Sequence, residues 1–472
     1  MSDRPNILFL MPDQLRADAL GCAGHPVFRT PNIDRLAREG VHFTHAYANS
    51  PLCMPARASV ISGVYPHNHQ IQENAGHLPA EDETFAQLLQ RAGYATAYVG
   101  KVHAFPDDPG RNLIEQEAYV RARGFDYVHE IPGPGALAKT ESYLSRRWRE
   151  RGLLEVYQQD FARRREDRGA AAWASPLPVE EFPDSYVGAQ ALEWLRRYED
   201  DRPFFLWVGF GGPHPPFDAP GDYATMYDPA TLPDPLPAEE PGPWVPASAR
   251  ERMLAGRQRA STPEMARQRM ASYGGKLTLI DDWVGRILDE LDTRGLAEHT
   301  LVVFWSDHGE MGGDHQRYQK SVFYEPAARV PLLARWPAGG VGASGESKTQ
   351  PARGCCQALV EQIDLFPTVL EAAGAPPSPR TFGRSLLPLA RGETAQTREA
   401  VFSELAREVM VRTDGHKYAV NREGRGYLLY DLRADPHEQR NLTGHPDYRE
   451  VERELRERML VWLVSTQVVR GR

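Results

Sequence analysis

The sequence predicts an α/β protein with a mainly parallel central sheet flanked by helices, followed by a smaller α+β domain with an antiparallel sheet. Three observations predict it. From the N-terminus to about residue 375, short apolar runs alternate with segments of helical periodicity, the pattern of strands crossed over by helices. After about residue 376 the pattern changes to closely spaced short strands closed by one helix. At 472 residues the chain is long enough for more than one domain. We therefore divide it into a main domain, 1–375, and a smaller C-terminal subdomain, 376–472.

Each element has its own signal. Residues 6–11, Asn-Ile-Leu-Phe-Leu-Met, read as a buried strand. Residues 30–40 carry an N-cap threonine, a proline at the first helical position and a closing glycine. The loop 50–55 runs into a helix-like segment, 56–62. Phe85, Leu88, Leu89 and Ala92 recur at helical spacing before Gly93, and 94–99 then reads as a strand. Residues 204–210 form another buried strand. Leu277, Ile280, Val284, Ile287, Leu288 and Leu291 mark a long amphipathic helix that feeds the strand 300–305.

Two regions, 104–185 and 218–265, are rich in Pro, Arg, Glu and Asp. They read as insertions with some helix, outside the core. The arginines from Arg146 to Arg168 read as a solvated helix face. Residues 337–357 form a Gly/Ser/Ala/Pro-rich loop. The C-terminal part holds short strands at 401–403, 409–412, 417–420 and 428–432, then a helix from about Tyr448. No internal repeat is present.

Composition narrows the function classes. A net charge of −9 and a pI near 6.0 argue against a general nucleic-acid binder. No apolar run reaches about 18 residues, so no membrane span is expected. The apolar run at 6–11 is too short for a signal-peptide core and lacks a cleavage site, which points to the cytoplasm. Four cysteines, Cys22, Cys53, Cys355 and Cys356, do not make a disulfide framework, and no Cys-x-x-Cys pair suggests structural zinc. The adjacent pair reads as incidental.

Chemistry gathers at the strand ends. The first strand ends at Asp13-Gln14, the second at Gly100-Lys101-Val102-His103, the third at Pro213-His214 and the fourth at Asp307-His308-Gly309-Glu310. Ligand sites of open α/β sheets lie beyond the carboxyl ends of the strands, so these residues are expected to converge. Asp13, Gln14, Asp307 and His308 offer hard oxygens and an imidazole, a set suited to calcium, magnesium or manganese. Arg57, Lys101, His103 and His214 supply cations and donors for a tetrahedral oxyanion. Cys53 would meet a helix N-terminus, where negative charge is favoured. A metal, a cationic cradle and a nucleophile together describe transfer of a sulfuryl or phosphoryl group.

The chain resembles the type I sulfatases of the alkaline phosphatase superfamily nearly end to end. Cys53-Met54-Pro55-Ala56-Arg57 matches the signature by which these enzymes have their cysteine oxidised to Cα-formylglycine. Thr30-Pro31-Asn32-Ile33-Asp34, Gly100-Lys101-Val102-His103, Pro213-His214-Pro215-Pro216-Phe217 and the segment from Ser306 to Glu310 match further elements. So do Lys320 before Tyr324-Glu325, and Leu429-Tyr430-Asp431-Leu432 with Asp435-Pro436-His437-Glu438. There are departures. Gln14 stands where typical members carry a second aspartate, and His308 where many carry Asn. Both resemble the branch holding choline-sulfatase-like enzymes and phosphonate monoester hydrolases. Asn74 resembles a substrate-contacting asparagine of those hydrolases, yet Lys101 and His103 are the sulfatase form of a pair they replace by Tyr and Thr.

The resemblance implies an alkaline-phosphatase-like fold for a sulfuric ester hydrolase acting on a small anionic sulfate ester. It implies maturation by a formylglycine-generating enzyme. One divalent metal would be held by Asp13, Gln14, residue 53, Asp307 and His308, calcium first and manganese or magnesium as the alternative. One hydroxyl of the hydrated aldehyde attacks sulfur, with Arg57 beside it. His214 protonates the leaving alkoxide, and Asn74, Lys101, His214 and Lys320 bind the ester. The second hydroxyl then gives its proton to His103, and sulfate leaves. No nucleic-acid or membrane partner is implied, and a homo-oligomer stays open. The alternative on the same site is a phosphonate monoester or phosphodiester hydrolase; a non-catalytic anion-binding homologue is a third reading.

Overall fold

The computed structural model describes residues 4–103, 112–166, 172–257, 261–338, 340 and 353–468. Nine strands form one mixed sheet: β1 (Asn6–Asp13), β2 (Val41–Tyr47), β3 (Ala95–Gly100), β4 (Tyr127–Glu130), β5 (Phe204–Pro213), β6 (Thr300–Trp305), β7 (Arg329–Val330), β8 (Leu332–Arg335) and β9 (Gly354–Glu361). The order is β4-β3-β5-β1-β6-β8-β2-β7, with β9 also pairing β2. The pairs β4–β3, β3–β5, β5–β1, β1–β6 and β2–β9 are parallel, whereas β8 and β7 run antiparallel to their neighbours.

Strand β1 lies at the centre, in register with Leu206 of β5 and Val302 of β6 through Leu8. Both its faces are covered, which is why its sequence is apolar without a break. Ile7, Phe9 and Met11 pack on one side with Phe85, Leu89, Trp207, Trp305 and Phe366. Leu8 and Leu10 pack on the other with Ile33, Leu36, Leu206, Ile280 and Val284. The first side is covered by the helices Phe85–Arg91 and Leu365–Ala372, the second by Pro31–Glu39, Pro183–Arg197 and Pro263–Thr293. Gly40 closes the helix Pro31–Glu39 by close approach: a Cβ there would stand 2.1 Å from the Ala334 carbonyl oxygen.

The reading of 104–185 as lying outside the core is corrected. Residues 127–130 add the strand β4 to the central sheet, parallel to β3. Leu113, Val120, Phe125 and Val128 are buried in one core, and Leu144 and Trp148 in the other. The second insertion likewise buries Tyr227, Leu232, Val245 and Met253, and its last residues open the helix Pro263–Thr293. Of the arginine series, Arg146, Arg149 and Arg151 are solvated, but Arg164 is buried. It donates to Asp160 and to the carbonyls of Phe217, Trp173 and Ala174. Arg168, residues 104–111 and most of the loop expected at 337–357 lie outside the described residues. The end of that loop, 354–357, belongs to β9.

The C-terminal part forms a four-stranded antiparallel sheet: β10 (Ala400–Leu405), β11 (Glu408–Thr413), β12 (His416–Val420) and β13 (Gly426–Asp431). One face packs on the helix Arg449–Ser465 through Val411, Tyr418, Leu429, Leu455, Met459 and Trp462. The other meets Tyr47, Met253, Phe323 and Tyr324. Among the described residues, no helix is long and apolar enough to cross a membrane.

Candidate active site

Four strand ends deliver the site. Asp13 is the last residue of β1, and Gln14 then turns at a positive φ of 65°. Ser306 Oγ lies 2.8 Å from the Pro12 carbonyl and accepts the Leu15 N–H at 2.9 Å, tying the end of β1 to the segment after β6. Gln362 Nε2 donates to the carbonyls of Ser306 (2.5 Å) and Asp307 (2.8 Å), fixing the turn that carries Asp307. Gly100 ends β3 at φ 105°, where a Cβ would stand 2.0 Å from the Gly209 carbonyl oxygen. Only glycine fits such an approach, and it brings Lys101 beside β5. The helix Cys53–Ser62 begins at Cys53. That is three residues earlier than the sequence pattern gives, because Pro55 is tolerated in a first turn whose N–H groups have no intrahelical partner.

The charges interlock. Arg57 donates through Nη2 to Asp13 and through Nε to Asp307, both at 2.9 Å. Lys101 Nζ lies 2.5 Å from Asp13 Oδ2. Burial alone would raise the Asp13 carboxyl, but Lys101 and Arg57 outweigh it and hold it well below the usual range. Burial and Asp13 likewise oppose the charge on Asp307, and His308 and Arg57 bring it down. Cys53 Sγ is buried 3.1 Å from His308 Nε2 and 2.9 Å from Lys320 Nζ. Burial and Asp13 push the thiol up, and Lys320, Lys101 and His308 draw it down to about 7.

One ligand atom each from Asp13, Cys53, Asp307 and His308 lies within 4.8 Å of the others. His308 Nδ1 donates to the Gly309 carbonyl at 2.9 Å, so Nε2 is the ring nitrogen that faces this group. Gln14 donates through Nε2 to the Glu310 carboxylate and accepts from Lys320 Nζ through Oε1 at 2.7 Å. Its oxygen is thereby turned to the site. Two carboxylates, an imidazole nitrogen and an amide oxygen fit one hard divalent cation.

Asp13, Gln14, Cys53, Arg57, Lys101, Asp307, His308 and Lys320 thus share one bonded network. His103 and His214 adjoin it, near enough for Lys101, Lys320 and Asp13 to act on both. Burial first, then Lys101 for His103 and Lys320 for His214, hold both imidazoles well below their ordinary range. His214 Nδ1 donates to the Pro215 carbonyl at 2.6 Å, which leaves Nε2 as its reactive nitrogen. Asn74 is exposed, and its Oδ1 accepts the Met54 N–H at 3.1 Å. Its side chain caps the helix that presents Cys53.

Sequence reasoning did not single out three supporting residues. Glu310 accepts from Gln14, from Gly312 N–H at 2.9 Å and from Gln319 N–H at 2.5 Å; its place in the Asp307-His308-Gly309-Glu310 run was the available signal. Tyr98 donates to the Lys101 carbonyl at 2.6 Å, and as a core-facing strand residue it carries no local sign of that task. Gln362 is equally silent, because its contacts are 56 and 55 residues away in the chain.

The chain is similar to known proteins along nearly its whole length. The family model Sulfatase matches residues 5–375, and the model N-sulphoglucosamine sulphohydrolase, C-terminal, matches 313–464. The multifunctional alkaline phosphatase superfamily protein PehA of Trinickia caryophylli is 30% identical, over 98% of this chain and 96% of its own. An arylsulfatase of Clostridium perfringens is 30% identical over 95% of this chain and 92% of its own. The crystal structure of the phosphonate monoester hydrolase of Agrobacterium radiobacter superposes with a TM-score of 0.79 at 26% identity, covering 98% of this chain and 96% of that one.

Proposed function

The chain belongs to the sulfatase family of sulfuric ester hydrolases, and we propose that it hydrolyses a sulfate ester of a small organic molecule or saccharide through residue 53. The observation that carries this reading is the seat of Cys53. It lies buried at the start of a helix, 2.9 Å from Lys320 and 3.1 Å from His308, one turn before the arginine that joins both site carboxylates. A structural cysteine needs no such surroundings. Converted to formylglycine by a formylglycine-generating enzyme, residue 53 supplies, as its hydrate, one hydroxyl to attack sulfur and a second to release it. Asp13, Gln14, Asp307, His308 and the residue-53 oxygen would hold one divalent ion, calcium first and manganese or magnesium as the alternative. When bound, that ion supplies positive charge beside the attacking oxygen and the ester oxygens.

The chain's own side chains do the rest. Lys101, Lys320 and Arg57 surround the anionic group with fixed positive charge, in a site where burial strengthens each interaction. Lys320 is half-buried. His103, neutral before the reaction, accepts the proton of the second hydroxyl. His214 hands a proton from Nε2 to the leaving oxygen. Burial first, and then Lys320, keep His214 neutral; the arriving sulfate ester offsets Lys320 and Lys101 and so favours its protonation. Asn74 serves by capping the helix of residue 53 at the edge of the ester site.

A second reading, a phosphonate monoester or phosphodiester hydrolase on the same site, draws support from the Asp13-Gln14 and Asp307-His308 pairs and from the likeness to a phosphonate monoester hydrolase. The Lys101/His103 pair favours the sulfatase. The test is turnover of 4-nitrophenyl sulfate by protein produced with a formylglycine-generating enzyme. We expect hydrolysis that Cys53→Ala abolishes; equal hydrolysis by that variant would exclude residue 53 as the nucleophile.

A further inference from the structure

The segment that carries His214 out of β5 is poor in backbone donors. Pro213, Pro215 and Pro216 supply no N–H, so the segment cannot hold itself by a ladder of its own. Its carbonyls still need partners. They find one in a residue far away in the chain. Lys276, in the middle of the helix Pro263–Thr293 and 1% exposed, donates from Nζ to the His214 carbonyl at 2.8 Å and to the Pro216 carbonyl at 3.0 Å. It also donates to Asp218 Oδ1 at 3.1 Å. An ammonium has three N–H groups, and all three are engaged.

The surroundings are shaped to admit this lysine. Gly274 and Gly275 precede it inside the helix. A Cβ at Gly275 would stand 2.1 Å from the Tyr223 carbonyl oxygen, and one at Gly274 2.3 Å from the Phe28 ring. Glycine is unfavourable in a helix interior, so these two residues mark where the helix comes close. Gly212 accommodates the clamp from the strand side, because a Cβ there would lie 2.4 Å from Asp184 Oδ2 and 3.2 Å from Lys276 Cε. Asp184 itself accepts the Gly212 N–H at 2.8 Å. The backbone is therefore gripped before His214 by Asp184 and after it by Lys276.

This grip reaches the imidazole. His214 Nδ1 donates to the Pro215 carbonyl at 2.6 Å. Lys276 holds the carbonyls immediately before and after that one. We propose that Lys276 is a positioning residue for His214: by clamping the carbonyls of His214 and Pro216 it fixes the Pro215 carbonyl that orients the ring, and so keeps Nε2 aligned with the leaving oxygen. This inference rests on the reading of His214 as proton donor. A merely structural lysine would stabilise the fold without favouring one leaving group over another. A positioning lysine matters in proportion to how much the leaving group needs a proton.

The test compares 4-nitrophenyl sulfate, whose phenol leaves readily, with phenyl sulfate, whose phenol needs protonation. Lys276→Met is expected to lower kcat on phenyl sulfate about 10- to 100-fold, the range for a misaligned proton donor. On 4-nitrophenyl sulfate it should lose less than about threefold, with KM little changed. Because the single change leaves Asp218 buried and unpaired, the paired variant Lys276→Met/Asp218→Asn removes both charges and keeps the test available if the first does not fold. In a His214→Ala background, which should itself show the leaving-group-selective loss, Lys276→Met should have no further selective effect. Equal loss on both substrates, or a selective loss that persists in full without His214, would overturn the positioning role. If His214→Ala alone treats the two substrates alike, the proton-donor reading is wrong and the inference falls with it.

Discussion

Arg57 Nε stands 2.9 Å from Asp307 Oδ2, and both groups are almost wholly buried. The contact spans 250 residues of chain and ties the helix that begins with Cys53 to the end of β6. The same guanidinium reaches Asp13 with Nη2 at 2.9 Å, so one planar side chain sets the spacing of two carboxylates. Lysine cannot reproduce a two-pronged contact of this kind. Arg57→Lys should lower kcat/KM about 100-fold or more, since a misplacement of about 1 Å in the groups it spaces can cost that much. Steady-state kinetics with a thermal melt would check it; activity within a few-fold of wild type would remove Arg57 from the account.

The donor set makes a direct claim about metal content. Asp13→Asn should lose metal and activity together, because it removes a carboxylate shared by Lys101, Arg57 and the ligand group. The double variant Asp13→Ala/Asp307→Ala should carry no stoichiometric divalent ion by elemental analysis of the purified protein. Finding one ion per chain in that variant would show that the ion sits elsewhere.

Residue 53 offers a chemical signature. Mass spectrometry of the peptide spanning residues 46–57 should show the aldehyde in protein produced with a formylglycine-generating enzyme. Fully active protein with only the thiol at this position would rule out the aldehyde as the nucleophile.

The two histidines predict a pH profile. Burial, then Lys101 for His103 and Lys320 for His214, hold both below the ordinary value of 6.5. A base must be unprotonated, and His103 acts only after the alcohol has left, so kcat, where breakdown limits it, should rise with pH through the lowered value of His103. An acid must be protonated, so kcat/KM should fall as pH rises through the lowered value of His214. For phenyl sulfate both limbs should lie below 6.5. For 4-nitrophenyl sulfate, which needs little protonation, the falling limb should weaken. An identical falling limb above pH 8 for both substrates would assign it to another group.

Stability can be probed away from the chemistry at Gly40. A Cβ there would stand 2.1 Å from the Ala334 carbonyl oxygen, which leaves no room for a side chain. Gly40→Ala should cost at least about 1–3 kcal/mol, the range for forced overpacking, read as a lowered Tm. An unchanged Tm would mean that β8 shifts freely at this point.

How much of this was legible in the sequence depended on burial and on distance along the chain. The central strands β1, β5 and β6 read clearly because two-sided burial makes them continuously apolar. Strand β4 did not, because Tyr127-Val128-His129-Glu130 is short, edge-placed and set among charged residues. Strand β2 was hidden for a similar reason, with His42 and His45 inside it. In the site, residues at strand ends were legible since topology alone sends them to one place. Gln362 and Lys276 were not, because they act through carbonyls remote in the chain and belong to no motif.

We propose that this site is built for sulfate esters, with Lys101 and His103 where the resemblance gives phosphonate monoester hydrolases Tyr and Thr. The most direct measurement is the ratio of kcat/KM for 4-nitrophenyl sulfate to that for 4-nitrophenyl phenylphosphonate, taken on one fully matured, metal-loaded preparation. The account predicts a ratio well above one, and a fall in that ratio when Lys101 and His103 are replaced together by Tyr and Thr. A ratio below one for the wild-type protein would contradict it and assign the site to phosphonate or phosphate esters.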